Sequence, residues 1–204
     1  MQRALVIGLV ALTASVGCAS SEETDGAERS PATVTSATTD TGELVARALA
    51  RPVHARCSTR SEAEFGGAFH DPKNLVAGPF VLVGGARLTT AEVLASLDGQ
   101  KFPVLVRAGN RVTVRVPDAV SGYVSLGYGP LPQGNVEYAD GHPAVTFTAC
   151  PPGGPSSSSA GPGDPVTFWS GFVFATRPSC APLDVNVDGE SSPRRIEIPL
   201  GAPC

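Results

Sequence analysis

Five cysteines carry the most definite chemistry in this chain: Cys18, Cys57, Cys150, Cys180 and Cys204. Disulfides persist only in oxidising compartments, and the four cysteines beyond residue 50 form an even set that leaves Cys18 over. Four cysteines allow three pairings. The last hairpin the sequence predicts turns between Asp188 and Pro193, so the strand bearing Cys180 returns near residues 201–204. That places Cys204 beside Cys180 and leaves Cys57 for Cys150. The longer bridge would close a loop of about 94 residues, worth ~4–5 kcal/mol in the chain-entropy account.

Other chemical residues are scattered. Asp184-Val-Asn186-Val-Asp188-Gly189 matches the first half of a calcium loop. Such a loop needs a bidentate carboxylate at its twelfth position, and that position is Arg195, so a hairpin turning at Asp188-Gly189 is expected instead. His54 and Cys57 have half the spacing of a zinc site, but Cys57 is required for a disulfide, and no metal is expected. His70-Asp71 and His142 stand apart from any Gly-x-Ser-x-Gly elbow. Glu62 and Glu64 are too splayed to share a substrate. Trp169 and Tyr123 could stack on a sugar, but a lone Trp in an apolar strand is expected in the core. No Gly-rich phosphate loop precedes a helix, so no cofactor and no catalytic residue are assigned.

Arg107, Arg111 and Arg115 form the one candidate anion site. If Pro103–Val106 and Val112–Val116 pair as a hairpin about Ala108-Gly109-Asn110, with Val106 opposite Val112 and Val104 opposite Val114, Arg107 faces Arg111 on the outer side and Arg115 follows on the same face. Opposed like charges repel in a sheet, and Arg forks suit phosphate and carboxylate. An anionic envelope polymer or lipid head group would relieve that repulsion.

The elements that must position these groups begin with a targeting segment. Arg3 precedes fourteen uncharged, mostly apolar residues from Ala4 to Gly17. Fourteen are too few for a hydrocarbon core that needs ~20, so residues 1–17 read as a signal peptide. Residues 19–42 contain no aromatic residue, Leu or Ile and are rich in Ser, Thr and acid. They are expected to be a disordered tether, with a coil reach of roughly 27 Å. A short helix is expected over Glu43–Arg51.

Residues 43–204 read as a mainly β, antiparallel sandwich with one or two short helices. Apolar residues alternate at Val124, Leu126 and Tyr128, at Val145 and Phe147, at Leu183, Val185 and Val187, and at Ile196, Ile198 and Leu200. Phe80–Val83 is apolar throughout, as in a strand covered on both faces. Val166–Phe174 is apolar on both parities and predicts one central strand. Thr89-Thr90-Ala91-Glu92 is a capping box opening a helix to Leu97, which Asp98-Gly99 ends. The Pro, Gly and Ser stretch 151–165 is expected to be a mobile surface loop.

Ser15-Val16-Gly17-Cys18 resembles the lipobox of bacterial lipoproteins. That resemblance implies cleavage before Cys18 and a diacylglycerol on its thiol, anchoring the protein to the extracytoplasmic face of the membrane. The alternative is ordinary secretion. The run from Phe168-Trp169 through Cys180, Leu183–Gly189 and Arg194–Gly201 to Cys204 resembles the C-terminal half of actinobacterial exported proteins, which implies a shared fold and no activity.

Hydrophobic residues make up 42% of the 204 and charged ones 17%, enough for a core, while a net charge of −4 excludes the basic footprint of a nucleic-acid binder. The functional expectation is a lipid-anchored, non-enzymatic binding or scaffold module of the cell envelope, with an anionic polymer or another envelope protein as partner. The rival is a secreted hydrolase with loop-borne catalytic residues.

Overall fold

A computed structural model describes residues 52–97, 99–154, 158–159 and 164–204. The signal peptide, Cys18, the tether and the helix expected over 43–51 lie outside the described residues. In chain order the strands are β1 (Val53–Arg56), β2 (Leu75–Ala77), β3 (Phe80–Leu82), β4 (Gly99–Lys101), β5 (Val104–Arg107) and β6 (Arg111–Arg115). They continue as β7 (Val124–Gly127), β8 (Ala144–Thr148), β9 (Ser158–Ser159), β10 (Pro165–Trp169), β11 (Phe172–Ala175), β12 (Ser179–Val187) and β13 (Arg194–Leu200). Among the described residues one α-helix, α1 (Ala91–Leu97), lies between β3 and β4. The expected mainly β fold is what forms.

Three sheets share the work. The first has the order β1-β8-β6-β12-β13, the second β2-β3-β5-β10-β9 and the third β4-β11-β7. Every pairing is antiparallel except β1 with β8. Valines 104 and 106 of the second sheet, valines 112 and 114 of the first, and Val124, Leu126 and Val173 of the third are buried in one common core. At its centre Phe147 packs against Tyr128 and Trp169, with centroids 5.3 Å away in each case. The Tyr128 hydroxyl, sealed from water, donates to the Phe102 carbonyl at 2.8 Å, as a buried phenol must. Burial pushes its ionisation far above the ordinary range.

The second sheet is covered on its other face too. Val81, Leu105, Val166 and Phe168 point away from the main core into a smaller cluster closed by Ala68, Phe65 and Phe69. That second cover explains why Phe80–Leu82 is apolar at every position.

One expected pairing and one expected strand are overturned. Val104–Arg107 and Arg111–Arg115 do not form a hairpin. β5 pairs with β3 and β10, whereas β6 pairs with β8 and β12. Gly109 still takes the left-handed conformation (φ 77°), but it turns a corner between sheets rather than closing a ladder. The valines therefore meet across the core and not side by side. Val166–Phe174 is likewise two strands, broken at Ser170-Gly171. β10 stays in the second sheet and β11 moves to the third. A Cβ on Gly171 would lie 2.2 Å from the Tyr128 ring, so the crossing point accepts only glycine.

The capping expectation shifts by one residue. Thr90, not Thr89, accepts the Val93 amide at 3.3 Å. Thr89 is tied to β13, donating from its amide to the Pro199 carbonyl at 3.0 Å and accepting from the Gly201 amide at 2.8 Å. Part of the Pro/Gly/Ser loop is also less free than expected, since Ser158–Ser159 pairs with β10 at the edge of the second sheet.

Candidate functional site

The final hairpin places the sulfurs as expected. Leu183 pairs with Ile196 and Ser179 with Leu200, which brings Cys204 to Cys180 with Cα atoms 4.9 Å apart. Cys57, just after β1, and Cys150, just after β8, are joined at the end of the parallel β1–β8 pair, with a Cα separation of 4.8 Å. The Cys150 amide donates to the buried Thr167 hydroxyl at 2.7 Å, locking this bridge against the second sheet. Neither disulfide leaves a thiolate for metal. Cys57 is thus lost to a zinc site with exposed His54, and the Cys180–Cys204 pair beside Glu197 offers one carboxylate.

The calcium-like motif resolves into a salt bridge. Asp184 and Arg195, first and twelfth in the would-be loop, are cross-strand partners, and the Arg195 guanidinium donates to the Asp184 carboxylate at 2.9 Å. This bond holds Arg195 above its usual pKa.

The three arginines expected to share a face are separated. Arg107 ends β5, the central strand of the second sheet, stacks over the Phe69 ring at 3.9 Å and bonds Asp164 at 3.1 Å. Arg111 and Arg115 lie on the polar outer face of the first sheet. There Arg111 is 3.8 Å from Asp188, and Arg115 pairs across the strands with Asp184. Among the described residues Arg107 and Arg111 are not directly opposed, because β5 and β6 belong to different sheets.

The histidines do not converge either. His54 and His70 are exposed. His142 is half-buried, its Nε2 is sealed without a partner, and burial lowers its pKa. Among the described residues none of the three side chains meets a serine or a carboxylate. Glu62 and Glu64 are exposed on an irregular segment after β1. Trp169 is core, with its indole N–H donating to the Arg56 carbonyl at 3.2 Å. Tyr123 is half-covered by the Arg177 guanidinium, 3.9 Å from its ring.

The feature that combines open space with unspent chemistry is a groove of about 350 Å³ between the turn after β3, the start of α1 and β4. Its floor and walls are Val83, Leu88, Val93 and Phe102, and its rim carries Arg87 and Lys101. Leu88 is 55% exposed and Val93 38%, two of the three large hydrophobic side chains left in solvent among the described residues. The frame is well tied. Asn74 accepts the Gly84 amide at 2.7 Å and donates to the Ala68 carbonyl at 2.8 Å, while Val83 donates to the Pro103 carbonyl at 2.9 Å. On α1, Glu92 is held below its usual pKa by hydrogen bonds from its own amide and from Thr90.

Sequence reasoning missed this groove because its residues come from three elements. One signal was available. Val93 and Leu94 are adjacent in a seven-residue helix and point about 100° apart, so a narrow core face takes in one more than the other. Leu94 is the one taken in, at 3% exposure, and Val93 is left outside. No protein-family model and no curated protein matches the chain.

Proposed function

We propose that this chain is an exported, lipid-anchored binding module of the cell envelope. Cys18 would carry the acyl anchor, residues 19–42 would act as the spacer, and the groove of the β-fold would be the binding surface. The observation that carries this reading is the cysteine ledger. Five cysteines are present and four are spent in two disulfides, which suit an oxidising compartment and leave Cys18 over in a lipobox-like setting. Support for binding rather than catalysis comes from the groove, which offers apolar surface and cations but no nucleophile with a base beside it.

Fractionation of cells expressing the chain or Cys18→Ala tests the anchor. The native chain should sediment with membranes and Cys18→Ala should appear in the medium. Equal release of both would end the proposal.

A further inference from the structure

We infer that the groove between β4, α1 and the turn after β3 binds a single-chain amphiphile with a phosphate head. The tail would lie along Leu88, Val93, Val83 and Phe102, and the head would lie between Arg87 and Lys101. This names a ligand class for the binding module proposed above and rests on that reading.

Three observations point the same way. First, exposed aliphatic side chains are ordinarily scattered over a surface, but Leu88 and Val93 converge on one concavity whose floor is already apolar. Covering them would stabilise a complex by removing apolar area from water.

Second, the rim cations have no acid of their own. Arg107, Arg111, Arg194 and Arg195 each have a carboxylate within 4.0 Å. Among the described residues Arg87 and Lys101 have none; Arg56, Lys73, Arg115 and Arg177 have none either, but of these six only Arg87 and Lys101 line the groove. Glu92, the acid of the adjoining helix, is not part of the lining and bonds back to Thr90. Two unneutralised positive charges match a phosphomonoester, which carries about −1.5 to −2 at neutral pH, better than a carboxylate does. Arginine adds a fork suited to phosphate oxygens.

Third, the size fits. At about 350 Å³ the groove sits near the lower limit of small-molecule sites, which is compatible with one aliphatic chain. The bonds from Asn74 and Pro103 hold the wall that carries Arg87 before any ligand arrives, so little ordering is needed on binding.

The test uses the full chain with Cys18→Ser, which lacks any acyl anchor, so its outcome is independent of the lipidation proposal. Monomeric dodecyl phosphate, dodecanoate, dodecanol and inorganic phosphate are titrated, with amide shifts recorded by NMR. Dodecyl phosphate should saturate and shift amides of residues 83–93 and 100–102. Dodecanol and inorganic phosphate should each bind at least about tenfold more weakly. Arg87→Gln with Lys101→Gln should bring dodecyl phosphate down to the dodecanol affinity, and Leu88→Ser with Val93→Ser should weaken all three tailed ligands several-fold. Equal affinity for dodecyl phosphate and dodecanol, or shifts centred elsewhere, would overturn the inference. So would binding to vesicles of anionic phospholipid without any binding of monomers, since a bilayer surface would then be the occupant.

Discussion

The Thr167 hydroxyl is fully buried and has one evident task, accepting the Cys150 amide where the long disulfide meets the second sheet. Thr167→Val keeps the shape and removes the acceptor, leaving a buried N–H unpaired. The expected loss is ~1–3 kcal/mol, read by urea denaturation. An unchanged midpoint would mean that the amide finds another partner. His142 makes a pH-dependent prediction. Burial lowers its folded pKa below the ordinary 6.5, so the unfolded chain takes up the proton first. Its contribution to stability is therefore complete above about pH 6.5 and declines as pH falls through the folded value. His142→Gln should flatten the stability profile in the range just below pH 6.5. The lowered carboxyls of Glu92 and Glu190 act with the same sign but further into acid. A slope unaltered by the substitution would place the acid sensitivity elsewhere.

Hairpin β12–β13 was legible because the residue pattern and the pairing agree. Leu183, Val185, Ile196 and Ile198 alternate inward, Asp188-Gly189 supplies the turn, and the bridge between Asp184 and Arg195 occupies the would-be calcium loop. Calcium at millimolar concentration should accordingly leave the melting temperature unchanged, and a rise in Tm would contradict that assignment. β5 and β6 were misread for a physical reason. Inward-facing valines satisfy the alternation whether they are neighbours in one ladder or face each other across a core, and only the tertiary pairing distinguishes the cases. The same ambiguity hid the break between β10 and β11. The corner at Gly109 is testable at this scale. Gly109→Ala forces a Cβ onto a left-handed residue, 3.0 Å from the Pro152 ring. It should cost ~1–2 kcal/mol. Stability equal to the native chain would show that the corner can relax.

Across the whole molecule, two covalent links tie distant parts of the β-fold. Cys57–Cys150 spans 93 residues and joins the ends of β1 and β8, whereas Cys180–Cys204 spans 24 and fastens the C-terminus to its own hairpin. The chain-entropy account gives ~4.7 kcal/mol for the first and ~3.4 kcal/mol for the second. The double alanine variant of the long bridge should therefore be the less stable of the two, and the reverse order in a denaturant series would count against that explanation. Disulfide partners could be read from the sequence because a single well-patterned hairpin fixed one pair and left the other. The groove could not, since Arg87, Leu88, Val93 and Lys101 become neighbours only through the packing of α1 against β4 and the turn after β3. The proposed export and anchoring turn on the fate of Cys18, the one cysteine outside the two disulfides. Non-reducing peptide mapping by mass spectrometry of the protein isolated from its native membrane measures that fate directly. The account predicts linked peptides Cys57–Cys150 and Cys180–Cys204 together with an N-terminal Cys18 bearing a diacylglyceryl group. An unmodified N-terminus at Ala19 or Ser20, or Cys18 found in a disulfide, would contradict it.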